Sequence, residues 1–156
     1  MINIKPLKAY TDNYIWLLET NEEVSIVDPG DAKPVLDYLS KTNKNIRDIF
    51  ITHHHFDHTA GVPELENIIS GSIYGPKNSY ELINEKVTQG DTLSSLGIKF
   101  EIIEVPGHTL DHIAFYNEEN NILFCGDTLF AGGCGRVFEG TFCLLYTSDA
   151  ADDVAS

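Results

Sequence analysis

The chain has 156 residues, 42% of them hydrophobic, and a formal net charge of −14. That length is enough for one domain that buries roughly 70% of its unfolded surface, so no second domain is required. With Arg47 and Arg136 as its only arginines, so acidic a chain argues against nucleic acid or an anionic membrane as a partner.

Taken in order, residues 2–9 and 13–20 are apolar segments parted by Tyr10-Thr11-Asp12-Asn13, and Val24 to Val27 precede Asp28-Pro29-Gly30. These read as an opening β-meander. Lys33 to Thr42 places Val35, Leu36 and Leu39 on one face with Asp31 near an N-cap position, which predicts a helix leading into a strand at 46–51. A second helix is expected from Gly61-Val62-Pro63 to about Ser70-Gly71, with Leu65, Ile68 and Ile69 on a shared face. A short strand at 72–74, a short helix from Ser79 to Glu85, and strand character over 86–105 follow. Ile113–Tyr116 and Ile122–Cys125, joined by the polar run Asn117–Asn121, form a hairpin, and from Thr128 the chain is rich in glycine. The pattern is that of an α/β protein with helices outside its sheets.

Cys125, Cys134 and Cys143 are odd in number and lack C-x-x-C spacing, so they are expected to be small buried hydrophobes in a reducing compartment. No charged segment with a following apolar stretch opens the chain, and no apolar run approaches the ~20 residues that span a bilayer, so a soluble, cytoplasmic protein is expected. Arg136 is the one cationic side chain after Lys99, which makes it a candidate contact for an anionic ligand.

The chemistry concentrates in Thr52-His53-His54-His55-Phe56-Asp57-His58, directly after the apolar run 46–51. In extended chain, residues i and i+2 point the same way, so His53 and His55 can grip one ion while Asp57 and His58 reach another. Two further strand ends deliver His108, after Pro106-Gly107, and Asp127, after Gly126. Such a donor set is costly to bury without a cation. Imidazole and carboxylate donors without thiolate suit Zn²⁺, Fe²⁺ or Mn²⁺. His53, His55 and His108 are assigned to one ion, Asp57 and His58 to the other, and Asp127 to the bridge between them. His54 and His112 are read as ordinary core or surface histidines. Two adjacent ions lower the pKa of bound water from about 15.7 toward about 7, which supplies a nucleophile for hydrolysis.

With these residues in place the sequence resembles the metallo-β-lactamase superfamily, whose H-x-H-x-D-H signature is His53 to His58, followed by His108 and Asp127. Within it, Gly126-Asp127-Thr128-Leu129-Phe130 running into Gly133-Cys134-Gly135-Arg136-Val137-Phe138-Glu139-Gly140-Thr141 is similar to glyoxalase II, the hydroxyacylglutathione hydrolases. The resemblance covers residues 1–142. It implies an αββα sandwich with two divalent metals, zinc first, at one edge, and hydrolysis of S-D-lactoylglutathione to D-lactate and glutathione. It further implies that Asp57 orients the nucleophile as well as ligating, that Arg136 contacts the glutathione moiety, and that Phe138 lies where some relatives carry tyrosine. The full-length protein is expected to be a monomer.

The family's second ion takes a further histidine from beyond this motif, and no histidine follows His112. An incomplete sandwich is therefore expected: the first sheet and part of the second, an uncovered apolar face, and impaired activity. Residues 143–156, beginning Cys143-Leu144-Leu145-Tyr146-Thr147-Ser148, resemble the translation of a transposase adapter used in sequencing libraries and are expected to be a non-native tail. Two alternatives have other chemistry. One is a persulfide dioxygenase with a single iron on His53, His108 and Asp127, disfavoured by Val137–Thr141; the other is a non-catalytic interaction module.

Overall fold

The computed structural model describes residues 2–77, 80–130 and 132–149, with side chains described through Leu145. Strands β1 (Asn3–Ala9), β2 (Asn13–Glu19) and β3 (Glu23–Val27) form an antiparallel meander. Helix α1 (Ala32–Thr42) then crosses to β4 (Asn45–Phe50), which pairs parallel with β3, and β5 (Ile73–Pro76) and β6 (Glu85–Val87) extend the sheet in parallel, in the order β1-β2-β3-β4-β5-β6. A second, antiparallel sheet has the order β10-β9-β8-β7, from β7 (Thr92–Ser95), β8 (Ile98–Glu104), β9 (Ile113–Asn117) and β10 (Ile122–Phe124). A two-stranded ribbon, β11 (Leu129–Phe130) and β12 (Gly133–Cys134), follows.

Alternation along β2 explains the layering. Ile15 and Leu17 point to one side, where they are buried with Ile26, Val35, Tyr38 and Leu65 under α1 and α3 (Val62–Leu65). Leu18 points to the other, into a core shared with Val27, Phe50, Phe100 and Phe115 between the two sheets. Phe50 holds that core together, with ring centroids 5.0 Å from Phe115 and 5.5 Å from Phe100. The layers are helices, first sheet and second sheet, in the order expected of an αββα sandwich. The uncovered apolar face lies toward one edge, where Ile4, Trp16, Leu129 and Phe130, all exposed, line a cleft of about 1060 Å³.

Capping sets α1. Asp31 accepts a hydrogen bond from the Lys33 amide at 2.9 Å, and Asn43 closes the far end in the left-handed conformation. The expected second helix is shorter: α3 gives way to a 3₁₀ turn at Glu66–Ile68, and Ile69 is extended because it bridges in parallel to Ile46. Ile68 is consequently 49% exposed. The expected helix at Ser79–Glu85 is not formed over its described part. Residues 80–84 turn into β6, and Asn84 exchanges hydrogen bonds with Ile73 through its amide and its side chain; Ser79 lies outside the described residues. A one-turn helix, α2 (Phe56–Thr59), holds the end of the histidine stretch. The cysteines also differ from expectation: Cys134 and Cys143 are exposed and Cys125 is half-buried, because β12 is an outlying ribbon and Cys143 opens α4 (Phe142–Asp149). No described helix is long and apolar enough to cross a membrane.

Candidate metal centre

Strand ends build the site. The chain leaving β4 carries His53 to His58, the β8–β9 connection brings His108 and His112, and the turn after β10 brings Asp127. Ring nitrogens of His53, His55 and His108 lie within 4.8 Å of one another, as do ligand atoms of His53, His58 and Asp127. Asp127 spans the two groups, with Oδ1 3.1 Å from His58 Nε2 and Oδ2 3.4 Å from His108 Nε2. Asp57 is held beside them. Its Oδ2 accepts from Asn13 Nδ2 at 2.8 Å and lies 3.7 Å from His58 Nε2.

Hydrogen bonds behind the rings decide which nitrogens face the centre. Thr52 Oγ1 donates to Asp28 Oδ2 at 2.7 Å, so its contact with His53 Nδ1 at 3.0 Å makes that nitrogen the donor and leaves Nε2 a lone pair. His108 Nδ1 donates to the Arg136 carbonyl at 2.6 Å, which turns its Nε2 inward, 3.0 Å from His55 Nδ1. His58 Nδ1 lies 3.0 Å from Asp28 Oδ2. Nε2 of both His53 and His58 is buried and has no hydrogen-bond partner among the described residues; Asp127 is near His58 but not aligned with its ring nitrogen.

The electrostatics favour a neutral His53 and positive charge beside Asp28 and Asp127. Burial, reinforced by the neighbouring His58, His112 and His55 rings, pushes His53 far below the ordinary histidine pKa, so it is neutral and able to ligate. Burial also disfavours charge on His58, yet Asp28 and Asp127 outweigh it and raise that pKa to about 10. The two carboxylates thus demand positive charge between them, whether a proton or a metal supplies it. Asp127 itself, although burial raises its pKa, is held below the usual carboxylate value by His58. Orphaned inward nitrogens together with a paired carboxylate form a cluster that could hold divalent metal.

Of the remaining expected residues, Phe138 is exposed, with its ring centroid 5.4 Å from that of His55 and 5.3 Å from that of His108. Arg136 is exposed too, its guanidinium carbon 5.9 Å from the Phe138 ring centroid. Both sit at the mouth of the centre. Gly135 makes that placement possible, since a Cβ there would lie 1.9 Å from the Asp127 carbonyl oxygen.

Sequence reasoning missed Asp28 and Asn13. Asp28 takes a positive φ of 50°, uncommon away from glycine, and accepts from the Thr52 amide at 2.8 Å as well as from the Thr52 hydroxyl. Its signal was available: Val27-Asp28 is a further strand end that delivers a carboxylate. His112 is a core histidine, buried and held to about 4 by that burial, and its Nε2 accepts from the Asp127 amide at 3.1 Å.

Two facing sheets with histidine and aspartate donors gathered at their edge define a two-sheet fold with a candidate metal centre at its rim. The family model of the metallo-β-lactamase superfamily matches residues 11–156, and the chain belongs to that superfamily. It is 48% identical over 143 residues to a hydroxyacylglutathione hydrolase of Idiomarina loihiensis and 50% identical over 148 residues to one of Pseudoalteromonas translucida. Each match covers 90% of this chain and 56% of the relative, so the chain spans little more than half the length of those relatives. Among solved structures, the BLEG-1 B3 metallo-β-lactamase is similar in fold, with TM-score 0.83 and 23% identity over 99% of this chain and 85% of that one. A di-iron-bound form of TTHA1623 aligns with TM-score 0.79 and 25% identity over 97% and 87% of the two chains.

Proposed function

We propose that the chain belongs to a binuclear metal-dependent thioester hydrolase that converts S-D-lactoylglutathione to D-lactate and glutathione. The observation that carries this reading is the convergence of inward-facing His53, His55, His58 and His108 with Asp127. The substrate rests on the 47–50% identity to five hydroxyacylglutathione hydrolases. In this reading His53, His55 and His108 hold one ion, Asp57 and His58 the other, and Asp127 bridges them. Zinc is the first choice for both, with iron or manganese as alternatives. The di-iron-bound relative supports two ions. When bound, the ions supply a low-pKa water and polarise a carbonyl oxygen.

The chain's own groups then have distinct tasks. Asp57, fixed by Asn13, orients the attacking water. Arg136 at the rim pairs with a carboxylate of the glutathione moiety, and Phe138 offers an apolar wall beside His55 and His108. Attack on the thioester carbon breaks the C–S bond, and thiolate, whose conjugate acid has a pKa of about 8.5, leaves without a strong general acid. We further take the whole protein to be a monomer and to be cytoplasmic, the second of these supported by the three free cysteines.

The test is to follow thiol release from S-D-lactoylglutathione by the whole, metal-loaded protein. Hydrolysis with two ions per chain is expected. One iron per chain, with oxygen consumed on glutathione persulfide, would instead establish the dioxygenase reading.

A further inference from the structure

We propose that His54 is a positioning residue that latches the segment carrying Arg136 and Phe138 over the imidazole cluster. It sits between His53 and His55 in sequence, but its ring makes other contacts. Nδ1 lies 2.9 Å from Asp111 Oδ1 and Nε2 lies 3.0 Å from Glu139 Oε1. One imidazole therefore touches three segments, its own after β4, the β8–β9 connection at Asp111 and the chain after β12 at Glu139, and its Nε2–H tautomer is the one that can donate to Glu139.

Glu139 is well placed to transmit that hold. Its other oxygen accepts from the Leu110 amide at 3.1 Å, and the amides of Phe138 and Glu139 both donate to the His108 carbonyl, at 3.1 and 3.4 Å. Because Arg136 and Phe138 lie one to three residues before Glu139, wherever the Glu139 carboxylate is pinned their approach to His55 and His108 is set. The His54 and Glu139 side chains are 35% and 36% exposed, so water screens the pair and its effect falls on geometry more than on global stability.

The latch deepens the hydrolase reading and rests on it only for what Arg136 and Phe138 contact. Its test is amide hydrogen exchange at Phe138 and Glu139 in the zinc-loaded protein, compared among wild type, His54→Gln, His54→Asn and Glu139→Gln. A glutamine amide reaches the position of Nε2 and an asparagine amide only that of Nδ1. His54→Asn and Glu139→Gln should speed exchange up to about fivefold, the loss of one solvent-screened polar contact, while His54→Gln stays near wild type. Zinc stoichiometry should not change in any of them. Glu139 is exposed, so its variant tests the latch without endangering the fold. Exchange in His54→Asn equal to wild type, or His54→Gln as fast as His54→Asn, would overturn the proposal. So would loss of a zinc equivalent in His54→Gln, because His54, His55 and Glu139 would then be a metal group in their own right. In the thioester assay His54→Asn should raise KM more than it lowers kcat. A protein that fails to hydrolyse the thioester yet shows the exchange pattern would refute the substrate and leave the latch intact.

Discussion

Asp28 and His58, thirty residues apart, meet at 3.0 Å between Oδ2 and Nδ1, and this contact turns Nε2 of His58 toward Asp127. The same carboxylate accepts from Thr52, whose hydroxyl sets His53. One side chain thus orients imidazoles in both groups. Asp28→Asn keeps the size but offers a single acceptor oxygen, so it should weaken divalent metal binding by about 10- to 100-fold. Competition against a chromogenic chelator measures this, and unchanged affinity would remove Asp28 from the centre.

Gly135 tests the packing that brings the rim to the centre. A methyl group there meets the Asp127 carbonyl at 1.9 Å and His108 Nδ1 at 2.9 Å, both closer than any real contact. Gly135→Ala should therefore displace Asp127 or the segment after it and lower zinc affinity more than Gly133→Ala, where a Cβ meets nothing within 4 Å. Parallel zinc titrations of the two variants give the comparison, and equal affinities would count against the close approach.

Glu19 provides a pH dependence remote from the histidines. Burial pushes its pKa up, but hydrogen bonds from Tyr38, Lys44 and Asn3 win and hold it at about 2, while Tyr38 is pushed up to about 12. A carboxylate with a depressed folded pKa stabilises the fold above its unfolded pKa of about 4.3 and loses that contribution as pH falls toward 2. Glu19→Gln should accordingly be less stable than wild type at pH 6, with the gap closing between about pH 4.3 and 2. Urea unfolding of both proteins across that range is the measurement.

Much of the centre was legible because its donors recur at strand ends: His53 and His55 after β4, His108 after Pro106-Gly107 and Asp127 after β10. What escaped depends on contacts distant in sequence. Asp28 before Pro29-Gly30 reads locally as a turn, and only the fold brings it to Thr52 and His58. His54 reads as one more histidine until Asp111 and Glu139 flank it. The helix expected through Ile69 fails for a similar reason, since the bridge to Ile46 draws that residue into extended chain at the cost of the helical period. Periodicity records which faces are apolar and is silent on which strand will capture a helix end.

The most direct test of a two-ion centre is the number of zinc equivalents bound by the metal-free full-length protein and by its His55→Ala variant at neutral pH. Two equivalents for the full-length protein, with one lost in the variant, are predicted. The same stoichiometry in both would contradict the assignment of His55 and, with it, the centre built on His53, His55 and His108.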